Sequence, residues 1–212
     1  MRCVVFDLDG TLADTSADLL AAANACLPRP VLGDGDRLTA FHGGRAMLRL
    51  GFDRLGLDWS EADIDAAYPV LLEAYRGGIA THTRLYPGAM AAVEALKAGG
   101  FAVSICTNKP EGLADLLLRE LRVRDVFGAL VGADTFPVRK PDPIPYRAAV
   151  ERAGGVVARS MLVGDTETDA KTGVAAGVPV ALVTFGPEGR GVSRFQPAAL
   201  LDRFEDLPAL AA

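Results

Sequence analysis

Residues 2–12 read Arg-Cys-Val-Val-Phe-Asp-Leu-Asp-Gly-Thr-Leu, an apolar run that leads directly into two carboxylates. Residues 3–6 do not alternate with polar ones, which is typical of a strand buried on both faces, as in a parallel sheet. Asp7 and Asp9 are two positions apart and would point to the same side of a strand, and Gly10 allows a sharp turn just afterwards. Ligands of open α/β sheets bind at the carboxyl ends of strands, so this stretch predicts two acids at a ligand-binding edge.

The chain after residue 86 alternates between short apolar runs and helical patterns that end at glycine. The apolar runs predict further strands at Phe101–Cys106, Ala129–Gly132, Ser160–Gly164 and Pro179–Val183. With the first run they make five strands separated by helices, which predicts an α/β fold with a doubly wound, Rossmann-like parallel sheet. The last part of the chain is weakly patterned, and we expect only a short helix near residues 197–201 there.

Residues 14–85 carry no strand-like pattern. Helical patterns cover residues 17–27, 45–50 and, after the capping-box sequence that starts at Ser60, 61–76. The Gly-, Asp- and Pro-rich segment 29–44 is predicted to be a loop. We therefore expect an all-helical cap domain over residues 14–85, inserted into an α/β core domain formed by residues 1–13 and 86–212.

Composition limits the kinds of partner this chain can have. Its 212 residues carry a formal net charge of −5, which argues against a general nucleic-acid or anionic-membrane surface. No apolar run approaches the roughly 20 residues that span a bilayer. The cysteines Cys3, Cys26 and Cys106 have no metal-type spacing and are expected to be free thiols. These features predict a cytoplasmic protein, monomeric or homodimeric, without nucleic-acid or membrane partners.

Two further polar stretches border predicted helices. The sequence Thr107-Asn108-Lys-Pro follows the second strand and offers a hydroxyl and the first amides of a helix, a combination that suits an anion. Lys140 directly precedes a Pro-Asp-Pro helix start, and this chain has only four lysines among its 22 basic residues. Taken singly, the first stretch has an ordinary interpretation as a helix cap and the lysine as a surface residue.

The last polar stretch, Gly-Asp165-Thr-Glu-Thr-Asp169, follows another predicted buried strand. Its two acids are four residues apart and share a helix face. Together with Asp7 and Asp9 they make four acids at one sheet edge, which Lys140 alone cannot neutralise. Because only oxygen ligands are offered, a hard divalent cation is expected, and Mg²⁺ is the physiological choice.

These four stretches, in this order, resemble the four motifs of the haloacid dehalogenase superfamily of hydrolases, and the segment between the first two resembles its small helical cap. The form Thr-Asn-Lys-Pro is similar to that of phosphoglycolate phosphatases. The resemblance implies catalytic roles for Asp7 as nucleophile, Asp9 as acid and base, and Lys140. It implies metal ligation by Asp7, Asp9 through its carbonyl, Asp165, and Asp169, the last usually through water. It implies phosphoryl binding by Thr107, with Asn108 and Gly10.

The resemblance implies an enzyme that hydrolyses a small phosphomonoester with Mg²⁺ through an aspartyl-phosphate, and 2-phosphoglycolate is the first choice of substrate. A sugar phosphate, a nucleotide or pyrophosphate stays open. In the cap, Arg45 either meets a substrate carboxylate or is simply exposed. The cap has no lysine, whereas related phosphonoacetaldehyde hydrolases need a cap lysine to form a Schiff base. Leu19 stands where related sugar-phosphate mutases carry histidine, so both of these activities are disfavoured. A phospho-switch is the alternative of another class, which the Asp-x-Asp order and the helical insert disfavour. A catalytically silent binding module is a third possibility, disfavoured because every catalytic position is filled.

Overall fold

The computed structural model describes residues 1–211 of the 212-residue chain. It contains strands β1 (Cys3–Phe6), β2 (Ala13–Asp14), β3 (Arg84–Leu85), β4 (Ala102–Cys106), β5 (Ala129–Val131), β6 (Ser160–Gly164), β7 (Val180–Val183) and β8 (Ala199–Leu201). Its α-helices are α1 (Ser16–Asn24), α2 (Arg37–Phe41), α3 (Gly44–Arg54), α4 (Glu61–Gly77), α5 (Ala89–Ala98), α6 (Glu111–Glu120), α7 (Pro143–Arg152), α8 (Glu167–Ala176) and α9 (Leu207–Ala211). Contacts divide the chain into two compact units, one of Met1–Asp14 with the chain from Leu85 onward, the other of Thr15–Arg84.

The first unit is built on a parallel sheet with the strand order β5-β4-β1-β6-β7-β8. The chain winds from β1 outward to β5 and then continues on the other side of β1 from β6 to β8, so the winding direction reverses beside β1. Phe6 pairs with Ile105 of β4 and with Val163 of β6, and the carboxyl ends of the three strands therefore lie level. This doubly wound α/β sheet confirms the predicted fold class, and its switch point is the place where such sheets bind ligands.

Burial explains why the central strands are so apolar. All four residues of β1 are buried, and so are all five of β4 and of β6. Helix α7 packs Tyr146 into the core, where its hydroxyl lies 2.7 Å from the Ser160 hydroxyl oxygen and so keeps a hydrogen-bond partner. The side chains that face the strand ends are thus held by a rigid core.

The carboxyl-terminal prediction was wrong. Residues 199–201 are not helical but form β8, which pairs in parallel with β7 and gives the sheet a sixth strand within the described residues. The sequence Ala-Leu-Leu suits a helix as well as a buried strand, and three residues are too few for periodicity to decide. Pairing with β7, which no local pattern reveals, fixes the strand.

The second unit is mainly helical, comprising α1 to α4. The prediction of a loop over residues 29–44 was wrong in part, because Asp34–Asp36 form a 3₁₀ turn and α2 follows at once. Helix α3 also runs to Arg54, beyond its predicted end. The expected absence of strands from residues 14–85 was wrong at both edges of that range, where the short strands β2 and β3 lie.

Polar contacts hold the ends of these helices. The carboxylate of Asp63 accepts hydrogen bonds from the Ser60 backbone N–H at 2.8 Å and from the Ser60 hydroxyl at 2.7 Å, so α4 begins at the predicted capping sequence. The buried Asp18 carboxylate of α1 accepts the backbone N–H groups of His82 and Thr83. Within residues 1–211, no helix combines the length and apolar character that crossing a bilayer requires.

Candidate active site

Asp7 directly follows β1 at the switch point of the sheet. Its backbone N–H donates to the Val163 carbonyl at 2.9 Å, and its Oδ1 accepts from the Leu8 N–H at 2.7 Å. Burial raises the pKa of Asp7 to about 6; Lys140 opposes the rise, and the charge of Asp169 adds to it. The sequence thus places a carboxylate where water gives it little stabilisation, and its ionised form depends on nearby positive charge.

Asp165 extends the end of the neighbouring strand β6. Ligand atoms of Asp7, Asp165 and Asp169 all lie within 4.8 Å of one another, and all three residues are buried. The Thr11 hydroxyl donates to Asp165 Oδ1 at 2.8 Å. Burial raises the pKa of Asp165 well above its usual value, and the charges of Asp169 and Asp7 raise it further. The predicted convergence of acids from the first and last motifs is therefore present.

Asp169 lies in the first turn of α8, where both of its oxygens have donors. Its Oδ2 accepts from the Thr166 hydroxyl at 2.7 Å, the Thr166 N–H at 3.1 Å and the Asp165 N–H at 3.2 Å. Its Oδ1 accepts from Lys140 Nζ at 2.7 Å. Asp169 consequently caps the amino-terminal end of α8 and holds the Lys140 ammonium group in place. Thr166 was not selected from the sequence, although Thr-x-x-Asp before a helix is a capping-box signal that could have identified it.

Lys140 joins two of the acids. Its Nζ lies 3.1 Å from Asp7 Oδ2 and 2.7 Å from Asp169 Oδ1, and its side chain is buried. Burial alone would lower the pKa of Lys140, but the charges of Asp169 and Asp7 outweigh it and the pKa is raised. The ammonium group therefore stays charged. The Asn108 side-chain amide donates to the Lys140 carbonyl at 3.0 Å, so Asn108 supports the lysine segment, and its direct contact with a phosphoryl group stays a prediction.

Thr107 and Gly10 are the two remaining residues predicted to bind the phosphoryl group. Thr107, at the end of β4, is buried, and its hydroxyl oxygen accepts from the Lys109 N–H at 3.2 Å. Gly10 has a φ of +80°, and a Cβ at this position would overlap the Asp165 carboxylate. Glycine is required there both by backbone conformation and by space. Thr107 and Gly10 lie at the ends of neighbouring strands, and their roles toward substrate stay predictions.

Lys109 was not selected from the sequence. Its Nζ lies 2.9 Å from Asp9 Oδ1 and 3.1 Å from Asp9 Oδ2, and its side chain is only 4% exposed. A signal for it did exist, because lysine is rare in this chain and Lys109 lies within the Thr-Asn-Lys-Pro stretch. The predicted acid-base residue Asp9 is therefore paired with a second buried lysine.

The charges at this edge can now be counted. Six charged side chains form the acidic cluster: Asp7, Asp9, Asp165, Asp169, Lys109 and Lys140. When all six are ionised, the four carboxylates and two ammonium groups have a net charge of −2, which one divalent cation would neutralise. Oxygen donors of this kind suit Mg²⁺. Burial raises the pKa values of Asp7 and Asp165, so their ionised forms require additional positive charge, which a divalent cation would supply.

Arg45 lies in the second unit, in the first turn of α3. Its Nη1 is 2.5 Å from Asp65 Oδ1, and its guanidinium carbon lies 4.7 Å from the centre of the Tyr68 ring. The side chain is 42% exposed. Arg45 thus has an acidic and an aromatic partner within its own unit, and its contact with a substrate carboxylate stays a prediction.

Comparison with known proteins agrees with this geometry. A family model described as haloacid dehalogenase-like hydrolase matches residues 1–177. A phosphoglycolate phosphatase of Mesorhizobium japonicum is 38% identical over 208 residues, covering 96% of this chain and 92% of the relative. One from Agrobacterium fabrum is 37% identical over 211 residues, covering 97% and 91%.

A solved structure shows the same fold. A protein of Haemophilus somnus, described as a predicted phosphoglycolate phosphatase, superposes with a TM-score of 0.86 at 22% identity, covering 100% of this chain and 98% of its own. This likeness bears on the fold, whereas the family match and the sequence relatives bear on descent and activity. The chain belongs to the haloacid dehalogenase-like hydrolase family, and its curated relatives place it among that family's phosphoric monoester hydrolases.

Proposed function

We propose that this protein hydrolyses a small phosphomonoester, with 2-phosphoglycolate as first choice, through a phosphorylated Asp7 and with Mg²⁺. The observation that carries the proposal is the convergence of Asp7, Asp165, Asp169 and Lys140 at the carboxyl ends of β1 and β6. The substrate choice is supported by two relatives, 38% and 37% identical, that are named phosphoglycolate phosphatases.

The acidic cluster fits a magnesium ion. Asp7, Asp165 and the Asp9 carbonyl would hold it, and Asp169, whose oxygens already accept from Thr166 and Lys140, would support it through water. When bound, Mg²⁺ would neutralise charge on the phosphoryl oxygens and on the nucleophile. Lys140 adds positive charge beside Asp7, at 3.1 Å from Asp7 Oδ2.

The protein side chains then divide the reaction into two steps. In the first, an Asp7 oxygen attacks phosphorus while the ester P–O bond breaks, and Asp9 gives a proton to the leaving oxygen. In the second, Asp9 takes a proton from water, which attacks the aspartyl-phosphate and releases inorganic phosphate with free Asp7. The Thr107 hydroxyl, Lys140 and nearby amides hold the phosphoryl oxygens during both steps.

A phosphate-release panel tests the proposal. Wild-type protein is assayed with 2-phosphoglycolate, other small phosphomonoesters including a sugar phosphate and a nucleotide, and pyrophosphate, with Mg²⁺ or with a chelator. We expect release that requires Mg²⁺ and is fastest with 2-phosphoglycolate. Preference for another compound would discard the substrate and keep the mechanism. No release from any compound by folded protein would contradict the function and favour a phospho-switch or a binding module.

A further inference from the structure

Lys109 is the second buried lysine of the acidic cluster, and it pairs with a different carboxylate from those that contact Lys140. Its side chain is 4% exposed, compared with 19% for its partner Asp9, and its Nζ contacts both oxygens of that carboxylate. Lysine is almost never buried without a compensating charge, because the desolvation of an ammonium group is costly. Lys140 is already occupied by Asp7 and Asp169, so the two lysines serve different acids.

The backbone of Lys109 is fixed from several directions. Its N–H donates to the Thr107 hydroxyl oxygen at 3.2 Å, and its carbonyl accepts from the Ala133 N–H at 2.9 Å. The next residue, Pro110, is the N-cap of α6, where its ring restricts the backbone further. The lysine side chain therefore projects from a firmly held point at the end of β4.

The strand order brings this point to Asp9. Strand β4 is hydrogen-bonded to β1 in parallel, with Ile105 opposite Phe6, so the residues after the two strands emerge side by side. Asp9 follows β1 and directly precedes the turn at Gly10, whose φ is +80°. Two charge-assisted hydrogen bonds from one buried ammonium group hold both oxygens of the Asp9 carboxylate and so favour one orientation.

We propose that Lys109 is a positioning residue, which holds the Asp9 carboxylate in the orientation for proton transfer to and from the reacting oxygens. The proposal rests on the proposed function, in which Asp9 is the acid and base. Proton transfer in the transition state requires the acid within hydrogen-bond reach of the leaving oxygen, so a loose Asp9 slows the reaction even when every other group is in place. Lys109 acts through Asp9 and does not touch the substrate.

The leaving group provides the test. 2-Phosphoglycolate and ethyl phosphate release poorly stabilised alkoxides that need a proton, whereas p-nitrophenyl phosphate releases a stable phenolate that does not. The value of kcat/KM reports the first step, in which Asp9 acts as acid. The variants are Lys109→Met, Lys109→Gln, Lys109→Arg, Asp9→Asn and the double variant Asp9→Asn with Lys109→Met. Lys97→Met is the matched control, because Lys97 is an exposed lysine of α5 whose Nζ donates to the Val126 carbonyl at 3.0 Å.

We expect Lys109→Met and Lys109→Gln to lower kcat/KM for both alkyl esters by about 30-fold and for p-nitrophenyl phosphate by less than about 3-fold. The loss is smaller than the roughly 10²–10⁴-fold that general acid-base catalysis contributes, because Asp9 itself stays in place. Lys109→Arg should restore part of the loss, and Lys97→Met should lose nothing. In the Asp9→Asn background, Lys109→Met should cause no further loss, because its target is gone.

Each alternative has a separate signature. Equal losses on all three substrates, or a further loss from Lys109→Met in the Asp9→Asn background, would overturn the positioning role. A loss confined to 2-phosphoglycolate would overturn it too, since Lys109 would then bind the substrate carboxylate. Full activity of Asp9→Asn itself toward the alkyl esters would refute the acid-base role in the proposed function, and the Lys109 proposal with it. Circular dichroism and thermal unfolding verify that each variant is folded.

Discussion

The acidic cluster at the sheet edge and the ion pairs of the helical unit are both made of charged side chains, but they differ in their exposure to water. In the cluster, Lys140 is 1% exposed and Asp169 is 0% exposed, and each contacts further charged groups. In the helical unit, Arg49 and Glu61 form a bidentate pair whose side chains are 41% and 61% exposed. Water screens the pair of Arg49 with Glu61, so its net contribution to stability is small. Burial, in contrast, makes every charge of the cluster destabilising unless another charge balances it.

This difference distinguishes charges that the proposed chemistry requires from charges that lie on the surface. A protein that needed only stability would be better served by apolar residues at the sheet edge, since buried charges rarely repay their desolvation. The four carboxylates with two lysines are therefore best explained by the chemistry proposed for them. The exposed pairs of the helical unit carry no comparable cost. Changes in the two regions should consequently have very different effects, both in size and in kind.

The largest effect is expected from Asp7→Asn. An amide cannot act as the nucleophile, so kcat for phosphate release should fall by about a thousandfold or more. Thermal unfolding without Mg²⁺ should show a protein at least as stable as wild type, because one of the mutually repelling carboxylates is gone. Substantial turnover by Asp7→Asn, after contamination is excluded with an independently prepared sample, would refute the covalent role.

The next effect is expected from Asp165→Asn. Removal of one buried negative charge should raise Tm without added metal, and the same change should weaken Mg²⁺ binding, which isothermal titration calorimetry measures directly. In wild type, Mg²⁺ should raise Tm by mass action, by an amount that grows with its concentration. Glu167→Gln on the exposed face of α8 is the control, and its Mg²⁺ response should match wild type. An unchanged Mg²⁺ affinity in Asp165→Asn would contradict the assigned ligand set.

A smaller effect is expected from Gly164→Ala. A Cβ on Gly164 would overlap the Asp169 side chain, whose carboxylate holds Lys140. The clash should cost about 1–3 kcal/mol of unfolding free energy, measured by urea denaturation, and should lower kcat because Lys140 is displaced. Gly112→Ala is the matched control, since its Cβ would meet nothing within 4 Å and alanine favours the helix. Equal stability of the two variants would show that Asp169 is free to move.

The smallest effect is expected in the helical unit, from the pair of Asp36 with Arg54. The Arg54 side chain is 42% exposed, and the Asp36 carboxylate, 7% exposed, keeps the Gly33 N–H at 2.9 Å as a donor when Arg54 is replaced. Hydrogen bonds from Arg54, at 2.5 Å and 2.6 Å, lower the pKa of the Asp36 carboxyl below its usual value. A lowered folded-state pKa contributes stability that is present above the unfolded pKa, near 4, and is lost as pH falls through the folded one. Arg54→Met should therefore lower Tm by about 1–3 °C at pH 7 and by less at pH 3. An equal difference at both pH values would mean that Arg54 acts through packing.

Most of the fold was predictable because its signals are local. The apolar runs of β1, β4 and β6, the Asp142-Pro143 start of α7 and the Thr166 capping box are each encoded within a few residues. The Asp142 carboxylate does accept from the Ile144 N–H at 2.9 Å, as a helix N-cap should. Local signals of the same kind also predicted that the acids of the cluster lie at the carboxyl ends of strands.

What escaped prediction depends on contacts far apart in sequence. Strand β8 exists because β7 pairs with it, and its three residues carry no periodicity of their own. Lys109 meets Asp9 100 positions away, and this contact requires β4 to be the neighbour of β1. The sequence predicted a parallel sheet without its strand order, so a lysine in the middle of a recognised stretch had no visible partner.

The central claim is that Asp7 carries the phosphoryl group between the two steps, and the Asp9→Asn variant tests it most directly. With p-nitrophenyl phosphate the first step needs no acid, while the second lacks its base, so phosphorylated enzyme should accumulate. We predict a burst of about one p-nitrophenol per enzyme molecule, phosphate release that lags behind it, and one phosphoryl group on the peptide containing Asp7 by mass spectrometry. Phosphate release that keeps pace with p-nitrophenol in a slow Asp9→Asn enzyme, with no label on that peptide, would contradict the account.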